Sequence, residues 1–153
     1  MSSKGIAVWF LTPDGRALLK QRQSEQYGAV ITEPLKTWKK SYESIEGAIV
    51  RVVREEIPQL LPARPQRLHF SKITDEPVPE ENIKGGAVRL HYCCQLSLPL
   101  LAQESIILFG KEDLPRIRKL TDKDKKQRDL VFFEEDHDIL LKLLGVQTIL
   151  TTT

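Results

Sequence analysis

Cysteine is nearly absent: the 153 residues hold two, Cys93 and Cys94, side by side in an apolar run. Adjacent side chains of a strand point to opposite faces, so this pair does not close a disulfide and no disulfide framework supports the fold. No apolar stretch reaches the roughly 20 residues that span a bilayer, and no signal-like apolar segment follows Met1. Such a chain is expected in a cytoplasmic or other reducing intracellular compartment, with no membrane partner. Net charge is small as well, at +2, so no whole-chain field favours nucleic acid. The local basic cluster from Lys111 to Arg128 has Asp122, Asp124 and Asp129 interleaved with its lysines and reads as a solvated loop. The three histidines, His69, His91 and His137, are scattered and no pair has metal-ligand spacing. Repeats and low-complexity linkers are missing too, and the length suits a single domain over 1–153.

What is present is an ordinary globular balance, 41% hydrophobic and 29% charged. Gly5 to Thr12 is a β-branched and aromatic run, and Pro13-Asp14-Gly15 then supplies the turn of a hairpin completed by Ala17-Leu18-Leu19. Gly28 to Thr32 reads as a further short strand. Glu33 to Tyr42, with Pro34, Trp38 and three lysines, reads as a loop. Ser44 is a good N-cap; Ile45, Ala48, Ile49, Val52, Val53 and Ile57 follow at helical spacing; and Pro58 forces a stop. This predicts a helix over Ser44 to Ile57 with Ile45, Ala48, Ile49 and Val53 buried. Arg67 to Thr74, Ala87 to Leu98, Ser105 to Phe109 and Leu130 to Phe133 are strand candidates, and Glu112 to Leu120 is a short helix candidate. The closing helix has an apolar face of Phe133, His137, Leu140, Leu141 and Leu144 and ends at Gly145. His137 reads as a packed histidine. The order of elements predicts one mixed α/β unit.

The helix carries a second pattern in its charges. Seven residues separate Glu43 from Arg51, and Val52, Val53, Arg54, Glu55, Glu56, Ile57 and Pro58 follow. This resembles the Nudix box, which runs Gly, five residues, Glu, seven residues, then Arg-Glu-U-x-Glu-Glu-x-Gly-U with U a bulky aliphatic. Glu43, Arg51, Val53, Glu55 and Glu56 occupy matching positions. Thr37 stands in place of the box glycine, Val52 in place of the first Glu of Arg-Glu, and Pro58 in place of the last glycine. The likeness extends over nearly the whole chain, from the Gly-Ile-Ala-Val-Trp-Phe strand to Glu104, Ile107-Leu108-Phe109 and the final helix.

The resemblance implies an α/β/α sandwich with a mixed β-sheet between helices. It also implies a metal-dependent pyrophosphohydrolase site, in which carboxylates at i, i+3 and i+4 gather Mg²⁺ or Mn²⁺ around a substrate diphosphate. Val52 can neither ligate nor take a proton. Glu55 and Glu56 remain as metal and catalytic candidates for one weakly held ion, expected to face the Glu33 to Tyr42 loop, and Glu104 is the candidate replacement base. Glu43 and Arg51 are implied to tie the loop to the helix. Trp38, Lys39 and Arg51 are candidate ligand contacts, Trp38 by stacking and Lys39 as a point charge.

Three readings stay open at this stage. The chain is a Nudix domain of impaired catalysis that binds a nucleotide, a diphosphate-containing ligand or a partner protein; an active Mg²⁺- or Mn²⁺-dependent hydrolase of nucleoside diphosphate-linked substrates; or a structural interaction subunit.

Overall fold

The organising strand is the first one, β1 (Lys4–Leu11). Its residues Ile6 to Phe10 are all fully buried, as expected of a strand covered on both faces. The structure, a computed structural model, describes residues 4–58, 70–73, 78–79, 88–96, 105–123 and 129–145. After β1 come β2 (Ala17–Ser24), β3 (Ala29–Glu33), β4 (Leu35–Trp38), α1 (Ile45–Glu56), β5 (Phe70–Lys72), β6 (Val78–Pro79) and β7 (Val88–Gln95). Then follow β8 (Ile106–Phe109), a 3-10 helix (Lys111–Arg116), β9 (Ile117–Lys119), β10 (Leu130–Phe132) and α2 (Glu134–Leu143).

The strands form one mixed sheet in the order β5-β7-β1-β2-β3-β10-β9, with β4 joined to β1, β6 to β7 and β8 to β2. β1 runs parallel to β7 along its whole length, from Lys4 opposite Val88 to Leu11 opposite Gln95. Its other edge is shared: β2 takes the end at Phe10 and Leu11, and β4 takes the beginning, Gly5 to Val8.

Alternation along β1 feeds two cores. Ile6, Val8 and Phe10 join Leu18, Leu35, Ile49, Val52 and Val53 beneath α1. Trp9 faces the other way, into a cluster with Leu19, Phe109, Phe132, Ile139 and Leu140 beneath α2. The expected helix–sheet–helix layering and mixed sheet are therefore present. Helix α1 begins where Ser44 accepts from the Gly47 amide at 3.0 Å, and the Ile57 N–H closes its end on Val53 O. Ala48, Ile49, Val52 and Val53 are buried, while Ile45 is only partly so. The β1–β2 turn uses Gly15 at φ 83°, a conformation that costs a residue with a Cβ.

The structure corrects three expectations. The segment from Glu33 to Tyr42 is not wholly a loop, because Leu35–Trp38 pairs antiparallel with β1 and plants Leu35 in the α1 core. Glu112 to Leu120 is not one α-helix. Pro115 has no N–H to continue an α-helical ladder, so a 3-10 helix ends at Arg116 and β9 begins, parallel to β10. On α2 the expected face is present but wider: Phe133, Leu140 and Leu144 are buried and Leu141 packs against the cluster that holds Leu140, but Asp136 and Ile139 are buried as well, and His137 lies at the margin. The cysteines behave as strand neighbours: Cys94 is buried, Cys93 faces the other side, and both are free. Glu104, His69 and the tail after Gly145 lie outside the described residues.

Candidate functional site

The box residues come together around Arg51. Its guanidinium donates Nε to Glu43 Oε2 at 2.7 Å and Nη2 to Glu43 Oε1 at 2.8 Å. It also reaches Thr37 Oγ1 at 3.1 Å and Trp38 O at 3.0 Å. This fork–fork pair, with the Lys40 amide as a further donor, holds the Glu43 carboxyl down to about 2 and fastens the end of β4 to α1. Arg51 is thus committed to four acceptor atoms of the protein itself.

Val52, the next residue, is 3% exposed and packed in the α1 core. Glu55 and Glu56 part company beyond it. Glu55, its side chain 58% exposed, lies 3.8 Å from Arg51 on the β4 side. Glu56 takes Lys20 Nζ from β2 at 2.9 Å. Mg²⁺ and Mn²⁺ want an array of oxygen ligands in near-octahedral arrangement. Two carboxylates that each already face a protein cation, with an apolar side chain at the third position, do not fit that demand. No group of three metal-ligating side chains occurs among the described residues.

Across β1 from α1, the sheet carries a buried polar network that the sequence reading missed. Lys36 of β4 lies 2.6 Å from Asp136 of α2 and 3.5 Å from Glu33, with its ammonium 4.7 Å from the centre of the Phe133 ring. Glu33 in turn accepts from Arg22. Asp136 is 0% exposed, and burial pushes its carboxyl up against the opposing pull of Lys36. A signal was there: Asp136 falls three residues after Phe133 and four before Leu140, an acidic residue inside the apolar stripe.

His91, level with Ala7 and Lys36 in the sheet register, belongs to the same face. Trp9 Nε1 donates to its Nδ1 at 3.0 Å, so the proton of the neutral ring sits on Nε2. Burial, reinforced by the Lys36 and Arg89 charges, lowers its pKa to about 3. The unfolded chain binds this proton near pH 6.5 and the folded one does not. Stability is therefore present above pH 6.5 and should fall by about 1.4 kcal/mol per pH unit on the way down toward pH 3. Urea melts of the parent and of His91→Gln between about pH 7 and about pH 4 test this, because the variant should lack that slope. Parallel curves would assign the acid sensitivity elsewhere.

Trp38 and Lys39 lie at the end of β4. Trp38 is 38% exposed, with the Arg89 guanidinium 4.8 Å from its ring centre. Lys39 Nζ is 3.1 Å from Lys40 O. An open cavity of about 460 Å³ lies at the far end of β1, between the hairpin turn, Gly110 and the end of α2, away from all of the box residues. In the basic stretch, Arg118 and Lys119 are paired with Asp129 and Glu134.

No protein-family model and no curated protein matches the sequence. Solved structures do match. A possible asymmetric diadenosine tetraphosphate hydrolase of Jonesia denitrificans superposes with TM-score 0.62 at 15% identity, over 97% of this chain and 99% of that one. The Nudix domain of Shewanella oneidensis NrtR, in complex with ADP ribose, gives 0.59 at 15% identity, over 95% and 87%. A Nudix-family hydrolase of Clostridium perfringens gives 0.52 at 14% identity, over 97% and 99%. With the box helix capped by Ser44, tied through Arg51 to Glu43 and packed on a mixed sheet, the fold of this chain is the Nudix fold.

Proposed function

We propose that this chain is a Nudix-fold domain that has lost metal-assisted hydrolysis and binds a nucleotide or another diphosphate-containing ligand beside β4 and α1. The observation that carries the loss is the pairing of Glu56 with Lys20 at 2.9 Å, next to a buried Val52. An ammonium occupies the surroundings of a carboxylate that a hydrolase would turn toward a divalent ion. Mg²⁺ or Mn²⁺ binds weakly at best, through Glu55 and Glu56. Binding without hydrolysis is supported by what lies at the end of β4: Trp38 at the surface, on the sheet face away from α1, and the lysines that follow it. The S. oneidensis neighbour, in complex with ADP ribose, gives the first ligand to try.

The test is a thermal-shift and product assay with ADP-ribose and diadenosine tetraphosphate, each with and without Mg²⁺ or Mn²⁺. At a hundredfold excess over Kd a ligand stabilises by about 2.7 kcal/mol, which for a domain of this size raises Tm by roughly 5–10 °C. The expected result is such a shift without metal and without product. Metal-dependent turnover would overturn the loss of hydrolysis. No shift with either compound would overturn ligand binding and leave the fold as an interaction surface.

A further inference from the structure

Trp38, Gly5 and Arg89 form a row across the sheet: Gly5 is opposite Trp38 in the antiparallel pairing and opposite Arg89 in the parallel one. Arg89 is buried to 4% exposure, and its guanidinium donates to Ile6 O at 2.9 Å and Thr37 O at 3.2 Å. So fixed, it lies against one side of the Trp38 ring. Gly5 makes the contact possible. A Cβ there would come within 3.1 Å of both Arg89 Cζ and Trp38 Cζ3, so any side chain would push the two apart. The backbone of Trp38 is held independently, by Arg51 Nη2 on its carbonyl. A tryptophan held at its ring by Arg89 and at its main chain by Arg51, and 38% exposed as a residue, is pre-organised for contact.

We infer that Trp38, backed by Arg89 across Gly5, is the shelf on which the aromatic base of a ligand stacks, and that it makes the site prefer base-bearing ligands to bare diphosphates. This rests on the ligand-binding reading above and adds the residue that selects. Stacking on an aromatic face accepts any base, because every base has a π-face. Lys39 and Lys40 follow directly in sequence and supply point charges for the phosphates. Arg89 and Gly5 are positioning residues here, and Trp38 is the one that touches ligand.

Tryptophan emission reads the shelf directly, since the other tryptophan, Trp9, is fully buried against His91. ADP and inorganic pyrophosphate are titrated into the parent chain and into Trp38→Ala and Gly5→Ala, with affinities taken from calorimetry and quenching from the emission of Trp38 in the two chains that keep it. The expected result is quenching by ADP but not by pyrophosphate. Trp38→Ala should weaken ADP by about tenfold or more and leave pyrophosphate unchanged, with Gly5→Ala shifting the same ratio in the same direction. The quenching measurement on the parent needs no variant to fold. Equal affinity for ADP and pyrophosphate with constant emission would overturn the shelf while sparing the diphosphate reading. Binding of neither would overturn both.

Discussion

Replacing Lys36 by Met should cost this protein about 3–5 kcal/mol, because it strips a fully buried carboxylate of its counter-charge. Asp136 has no exposure, and Lys36 Nζ at 2.6 Å is its ion-pair partner. Burial already raises the Asp136 pKa, and removal of the ammonium raises it further. A carboxyl whose folded pKa lies above its unfolded value leaves the fold intact at low pH and weakens it as pH rises through the folded pKa. The deficit of Lys36→Met should therefore be larger at about pH 8 than at about pH 5. Restoring neutrality on both sides with Lys36→Met/Asp136→Leu should recover most of the loss, since an apolar pair avoids desolvating two ions. Chemical denaturation of the three proteins at both pH values decides it. A Lys36→Met deficit below about 1 kcal/mol would mean the pair behaves as an exposed one.

Val52→Glu should be nearly as damaging, at about 3–4 kcal/mol, since an ionised side chain is forced among Ile49, Val53 and Phe10. The same change completes the i, i+3, i+4 set with Glu55 and Glu56. Without metal the variant should melt well below the parent, and Mg²⁺ or Mn²⁺ should return more stability to it than to the parent. Hydrolysis need not follow, because Lys36-Thr37-Trp38-Lys39-Lys40 still replaces the glycine loop. Equal responses to metal in the two proteins would identify Glu55 and Glu56 as surface charges and would leave Val52 as a packing residue alone.

The difference between the legible and illegible parts of this chain lies in where the deciding forces act. Helix α1 could be read because everything that makes it is local: the Ser44 cap, the apolar stripe and the Pro58 stop lie within fifteen residues. The tie between Glu43 and Arg51 was legible through the box spacing. β4 was not, because Pro34 and the lysines argue for a loop and the strand exists only by pairing with the free half of the β1 edge. Lys36 looked like a loop charge for the same reason, although its partner stands 100 residues later on α2. Arg89 reads as an ordinary strand-start residue until Gly5, on a different strand, is seen to leave room above the sheet for it. The divergence of Glu55 and Glu56 depended on Lys20, which sequence proximity could not connect to either.

The long parallel pairing of β1 with β7 also sets an order of events at birth. β1 leaves the ribosome with both faces apolar, and Lys4 must wait for Val88 before its parallel register can form. At about 5–20 residues per second that interval lasts roughly 4–17 s. During it the hairpin with β2 and the edge given to β4 can form, but the other edge of the most hydrophobic strand stays open to any passing backbone. Nascent chains of this protein should consequently depend on holdase chaperones most strongly before residue 95 has emerged, and much less once Gln95 has paired with Leu11.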